Sequence, residues 1–442
     1  MRRQLIATIL FAVTARAAVT RVDILERGEL SGYARYERIV GKIHFAVDPK
    51  LAANRIITDI DLAPRNAQGL VEFTADLYML KPVDPAIGNG TALFEVSNRG
   101  GRGMLGMFDL DGKADPRTAQ DLGDPLLFQQ AFTLVWVGWE WDVPKRPGIL
   151  ALDAPRISGL TGLLRSEIIR NELTHRTSLG DRAQTPYAVV DPDAASMTWR
   201  DDPTGPSAVV PRSQWHFVND ASSVEFDPGF VPGRIYEVIY KGKDPAVSGL
   251  GSAAIRDYIS YLKQTGVVKR AIGFGTSQSG RFLRTFVYEG FNADEQGARV
   301  FEGVWAHVGG AGCGSFNIRF GQPSRDGHPR LNRFYPTDIF PFSDLPQTDS
   351  GLTDSLLARA TAEQVVPKIF YTNGSYEYWG RGASLIHITV DGKRDFAPAP
   401  NREFTIWPGL STAPMPIRCA TIRKTWPIRR IIDSHCGRCC WR

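Results

Sequence analysis

The chain has 442 residues, of which 43% are hydrophobic and 22% charged, a composition that can bury a large core and excludes disorder. No heptad or other internal period is present, which excludes fibres and solenoids. The net charge of +5 would suit a nucleic-acid partner, but seven Arg and Lys against one acid fall after Gly409; residues 1–409 hold 45 basic and 46 acidic residues, a net of −1, and no phosphate-tracking surface is expected.

Met1-Arg-Arg-Gln, the apolar run Leu5–Ala15 and the small residues Ala15-Arg16-Ala17-Ala18 have the three-part layout of a secretory signal. Residues 1–18 are therefore read as a signal peptide and the protein as secreted or periplasmic. Eleven helical residues rise about 16 Å, short of the roughly 30 Å hydrocarbon core, so no membrane span is expected here or elsewhere.

Lys42–Val47 and Val71–Leu80 alternate apolar and polar residues and predict antiparallel strands that open a sheet. Ala92–Ser97 and Phe132–Trp139 are more continuously apolar, as strands buried on both faces are. The first runs into the Gly-rich turn Asn98–Gly103, and the second ends in Glu140-Trp141-Asp142. Residues 143–235 are rich in Pro and Asp, with short β-like runs at Trp215–Val218 and Val224–Phe226, and read as a β-rich insertion or cap. The parallel rhythm then resumes. Gly251-Ser252 would cap a helix that places Ala254, Ile255, Tyr258, Ile259 and Leu262 on one face. Strands are expected at Val267–Phe274, Val304–Val308, Lys368–Thr372 and Arg402–Trp407, with a helix over Arg281–Val287. Strands alternating with helices predict an α/β fold, a mostly parallel sheet covered on both faces.

Chemistry concentrates at Gly273-Phe-Gly-Thr-Ser-Gln-Ser-Gly280. A buried strand enters a helix through Gly275-Thr276-Ser277-Gln278-Ser279, small residues flanking a serine at the spacing of a nucleophile elbow. The strained turn would raise the Ser277 hydroxyl over the sheet edge, at the positive end of a helix. The Gln278 amide would then face a developing oxyanion, and Gly100, in the turn after an earlier strand, is the expected second donor. Ser279 is the rival nucleophile, but position 281 would then have to be small, and it is Arg. Glu377, just past the strand Lys368–Thr372, is the expected acid, with Asp326 in reserve.

With GTSQSGRFLRTFVYEGFN (275–292), FEGVWAHVGGAGCGSFNIRF (301–320), RFYPTDIFPF (333–342) and YTNGSYEYWGRGASLIH (371–387), the chain resembles a bacterial α/β-hydrolase family of "alpha/beta hydrolase domain" proteins over roughly residues 20–409. The resemblance implies an α/β-hydrolase fold, a serine nucleophile at Ser277, and neither metal nor organic cofactor. It also implies that Cys313 and Ile318 stand where polar or basic residues are usual. The expected function is serine hydrolysis of an ester or related acyl bond, with a small-molecule substrate and no nucleic acid. The sequence does not set the oligomeric state.

The resemblance further implies a catalytic histidine just after the last strand, in a Gln-His-Gly-like turn. This chain has Pro408-Gly-Leu-Ser-Thr-Ala-Pro414 there, and no histidine before His435. Beyond Gly409 the composition turns to Arg, Cys and Trp: four of the five cysteines, Cys419, Cys436, Cys439 and Cys440, crowd this tail. They lack the second close pair that a zinc site needs, and no metal is expected. A reading-frame shift in the gene near Gly409, or a sequencing error, is the expected origin of residues 410–442: Leu410-Ser-Thr-Ala413 can be encoded CTN-AGC-ACN-GCN, which offset by two bases permits Gln-His-Gly across the Ser411–Ala413 codons. In the chain as given, His387 is the fallback base, since it alone follows Glu377 in the body. The alternative to an enzyme is a non-catalytic product that retains the hydrolase fold: a truncated binding protein that keeps the pocket, or a pseudogene translation.

Overall fold

The computed structural model describes residues 18–180, 184–325, 337–395 and 402–407. The expected signal peptide, apart from Ala18, and the whole 410–442 tail lie outside these residues, as do Asp326 and His328. The antiparallel opening of the sheet is formed by β1 (Val19–Leu30), β2 (Tyr33–Val47) and β3 (Val71–Pro82). The parallel part comprises β4 (Thr91–Glu95), β5 (Thr133–Val137), β6 (Arg270–Thr276), β7 (Gly303–His307), β8 (Lys368–Gly374) and β9 (Arg402–Trp407). Their spatial order is β1-β2-β3-β5-β4-β6-β7-β8-β9, with Leu152–Asp153 added beside β3. From β5 to β9 every neighbour is parallel, so the expected α/β architecture is present.

Alternation along the central strands sends side chains to two separate apolar layers. Phe94, Val135 and Val137 pack with Ala254, Ile255 and Phe282 of the helices on one face. Leu93, Leu134, Trp136 and Phe274 pack with Met104 and Phe128 on the other. Burying each of these large side chains stabilises the fold by about 1.5–3 kcal/mol. The helices nearest the site are α1 (Met104–Phe108), α2 (Leu250–Gln264), α3 (Gln278–Glu289) and α4 (Ser375–Gly380). Ser252 lies inside α2, buried; the N-cap is Gly249, and no side chain caps the helix.

The insertion folds into its own sheets. One has Ala208–Val210, Ser196–Arg200, Ile235–Lys243 and Thr161–Ile169 in that order, with Val189–Val190 also paired to Ile235–Lys243. The other joins Trp215–Val218, Ser223–Phe230 and Thr174–Ser178. Ile235–Lys243 thus pairs with strands from within residues 143–235, the segment expected to be an insertion, whereas Leu152–Asp153, also within that segment, pairs with the main sheet.

Several carboxyls are fixed deep in this frame. Glu95 accepts the Gly103 and Met104 amides at the start of α1, and Trp136 Nε1 as well; burial pushes it up to about 6. Asp109 accepts the Leu127 amide at 2.9 Å, and burial, with Asp124 adding repulsion, pushes it up to about 8. Burial likewise raises Glu289 to about 8. These raised groups hold protons in the native state that the unfolded chain has already released. Their contribution is complete below the ordinary carboxylate range and is lost as pH climbs towards 8. The thermal midpoint should therefore fall by roughly 3 °C or more between about pH 5.5 and about pH 8.5. A calorimetric midpoint that stays level or rises over that interval would refute the assignment.

Candidate active site

The carboxyl ends of β6, β7 and β8 are in register, with Thr276 opposite His307 and His307 opposite Thr372. Ser277 follows directly, at φ 59° and ψ −116°, as the N-cap of α3. A non-glycine residue in this region is strained, and the surroundings hold it there. The Ser277 amide donates to the His307 carbonyl at 2.8 Å, and its carbonyl accepts the Arg281 amide at 3.1 Å. Asn98 Nδ2 donates to the Thr276 carbonyl at 2.9 Å, tying the turn after β4 to the same corner. Ser277 is half-buried, whereas Ser279 is completely buried, so a substrate can meet the first and not the second.

The need for small residues is visible at Gly275. A Cβ there would lie 2.4 Å from the Ser279 carbonyl oxygen, closer than packed atoms approach. Gly275→Ala must therefore open the turn, and a destabilisation of about 1–3 kcal/mol is expected from denaturant unfolding. Unchanged stability would mean that strand and helix do not close as described.

Gln278 supplies the first amide of α3, one of those a helix leaves without an intrahelical acceptor. Its side chain is buried, and Nε2 donates to the Pro323 carbonyl and to the Arg325 carbonyl at 3.2 Å. Gly100 behaves differently from expectation. Its amide donates to Glu140 Oε2 at 3.0 Å, and its φ of +73° with Leu150 O 2.7 Å from a would-be Cβ fixes it in that direction. The donor expected for an oxyanion is already engaged.

Glu140, fully buried just beyond β5, was not singled out by the sequence; the signal was the acidic pair of Glu140-Trp141-Asp142 ending a buried strand. Burial, and then repulsion from Asp142, raise Glu140 well above the usual carboxylate range. Asp142, raised by burial to about 6, accepts Gln184 Nε2 and the Ser324 amide.

Glu377 lies in the first turn of α4 and is 1% exposed. Oε2 accepts the Gly374 amide at 2.9 Å, while Oε1 has no hydrogen-bond partner among the described residues. Burial raises its pKa, against the pull of Arg381 and Arg281. Both guanidiniums also pair with Asp338, at 2.8 and 3.4 Å. Because the Arg281 amide is bonded to Ser277, Glu377 and Ser277 share one end of the sheet.

His387 follows the short turn Ala383–Ile386. Its Nε2 stands 3.2 Å from the Tyr378 hydroxyl and its Nδ1 3.9 Å from Asp395, so these contacts direct the ring to a phenol and an exposed carboxylate rather than to the Ser277 elbow. His307 is buried beneath the elbow, with Nδ1 2.7 Å from Thr372 Oγ1, and burial lowers its pKa to about 4, making it a poor base. Among the described residues no three His, Cys, Asp or Glu side chains gather as a metal site, and no helix is long and apolar enough to cross a membrane.

Residues 246–364 match the family model described as "Alpha/beta hydrolase domain". No curated protein matches the chain. Among solved structures, the chain is similar to a glucuronoyl esterase from Solibacter usitatus (12% identity, 88% of this chain and 81% of that chain covered, TM-score 0.36). It is also similar to an S-formylglutathione hydrolase from Agrobacterium tumefaciens (8%, 87% and 90%, TM-score 0.33) and a rice cell wall degrading esterase from Xanthomonas oryzae (8%, 93% and 96%, TM-score 0.31). The matched residues 246–364 carry α2, β6, the Ser277 turn, α3 and β7.

Proposed function

We propose that this protein is a serine hydrolase of ester or related acyl bonds. The observation that carries the reading is the half-buried Ser277 in a positive-φ turn at the start of α3, with the matched family segment around it. Ser277 Oγ attacks the substrate carbonyl as an imidazole takes its proton. The tetrahedral oxyanion forms at the Gln278 amide and the positive end of α3. The same imidazole then protonates the leaving alcohol, and water repeats the sequence on the acyl-enzyme. Glu377 orients the imidazole: its buried Oε1 is an acceptor without a donor among the described residues, which is what a ring N–H would satisfy. The Gly100 turn, held by Glu140, shapes the approach to the oxyanion rather than donating to it.

In this reading the imidazole belongs after β9, where a frame offset by two bases permits Gln-His-Gly across the codons of residues 411–413. His387 is its substitute only if the Tyr378 and Asp395 contacts give way. Residues 1–18 direct export, to the periplasm or outside the cell. A second reading, a non-catalytic chain that retains the pocket, is favoured by the direction of those His387 contacts. A fluorophosphonate decides between them. In protein whose frame is restored after Gly409, peptide mapping should find the label on Ser277. Labelling that persists in Ser277→Ala, or that lands elsewhere, would remove the nucleophile assignment.

A further inference from the structure

The insertion carries a cationic pair that nothing above uses. Arg165 and Arg200 stand on the face of the cap sheet opposite its apolar core, where their same-face neighbours Leu163 and Ile169 are exposed. Both arginines are fully buried, at 1% and 0%. Arg165 Nη2 donates to Glu167 Oε2 at 2.8 Å and to Glu237 Oε2 at 2.9 Å, and Arg200 Nη1 donates to that same Glu237 oxygen. Among the described residues four donors remain without an acceptor: Nε and Nη1 of Arg165, and Nε and Nη2 of Arg200. The pair left on Arg200 is the side-on fork of the guanidinium, the edge that takes a carboxylate in two parallel hydrogen bonds.

Arg325 Nη1 donates to the Arg165 carbonyl on the edge strand Thr161–Ile169. The Arg165 and Arg200 guanidiniums share the two carboxylates Glu167 and Glu237. Buried charged donors without acceptors are costly, and a carboxylate would satisfy the fork. The cluster is also joined to the elbow. The Arg325 carbonyl accepts Gln278 Nε2, next to Ser277, and the Ser324 carbonyl accepts Arg99 Nε at 2.8 Å. The segment 323–325 thus links the Ser277 turn, the Asn98–Gly101 turn and the cap sheet.

We infer that Arg165 and Arg200 receive a carboxylate carried by the substrate at a distance from its scissile ester, so that the preferred substrates are hemi-esters of dicarboxylic acids. This rests on the serine-hydrolase reading for the ester and on the arginine pair for the carboxylate. The test is binding, by calorimetric titration of the full chain bearing Ser277→Ala so that no turnover intervenes. Monomethyl glutarate should bind at least about 10-fold more tightly than dimethyl glutarate. Arg200→Lys, which keeps the charge and loses the fork, should remove most of that preference. Equal affinity for the two esters would overturn the inference without any cap variant, so a poorly folding Arg200→Lys leaves it testable. An undiminished preference in a folded Arg200→Lys would overturn it as well. If acetate binds as tightly as the hemi-ester and dimethyl glutarate binds beside it undisturbed, the carboxylate is a separate ligand and the substrate assignment falls. Failure of ester hydrolysis in the frame-restored protein would sink the serine-hydrolase reading while leaving the affinity difference standing.

Discussion

Ester hydrolysis should rise by roughly 10²- to 10⁴-fold when the frame after Gly409 is restored and a histidine stands near position 412. A serine hydroxyl at neutral pH is a weak nucleophile, and the turn that exposes Ser277 does nothing to remove its proton. Groups that act as one unit are strongly non-additive, so the same experiment carries a second expectation. In the sequence as it stands, Ser277→Ala should change kcat/KM for 4-nitrophenyl acetate by less than about 10-fold, because the alcohol is not activated. In the restored protein the same substitution should cost roughly 10³-fold or more. Four proteins measured side by side give the coupling directly. An equally large loss in both backgrounds would mean that a base is already in place, and His387→Ala would then identify it.

What could be read in advance follows the range of the interactions involved. The strand–turn–helix from Arg270 to Glu289 is local: a buried β run, Gly275 where a Cβ would strike Ser279, and a helix beginning one residue after Ser277. Each step is set by neighbours in sequence. Sheet membership is not. Ile235–Lys243 has the burial pattern of a main-sheet strand, and only its pairing with Thr161–Ile169 and Ser196–Arg200 places it in a different sheet. The Gly100 amide fails for the same reason. A Gly-rich turn after a strand offers free N–H groups, but the carboxylate that captures this one comes from Glu140, forty positions later. Ser252 illustrates the limit of capping rules: the residue type suits a cap, yet the helix begins earlier, at Leu250, and needs no side-chain acceptor. His387 follows Glu377 in sequence as a base should, and its ring is drawn to Tyr378 and Asp395 by packing that sequence order does not encode.

Glu377→Gln should separate activity from stability. In the frame-restored protein kcat/KM should fall by roughly 10²- to 10⁴-fold, since an amide turned towards the imidazole no longer fixes the tautomer that accepts the serine proton. The fold should not suffer in parallel. The amide oxygen can still accept the Gly374 N–H that the carboxylate now accepts at 2.9 Å, so α4 keeps its first turn. Burial holds the Glu377 carboxyl above its ordinary range despite Arg381 and Arg281. Its folded form therefore keeps a proton that the unfolded form loses, and the stability this gives is complete below the ordinary glutamate value and disappears as pH rises past the folded value. A glutamine has no such proton to lose. The variant's unfolding midpoint should consequently match or exceed that of the parent at about pH 8.5, with the advantage shrinking towards about pH 5. A variant that unfolds more easily at high pH while hydrolysing esters at the parental rate would make Glu377 a helix-capping residue and nothing more, and the buried Oε1 would need another explanation.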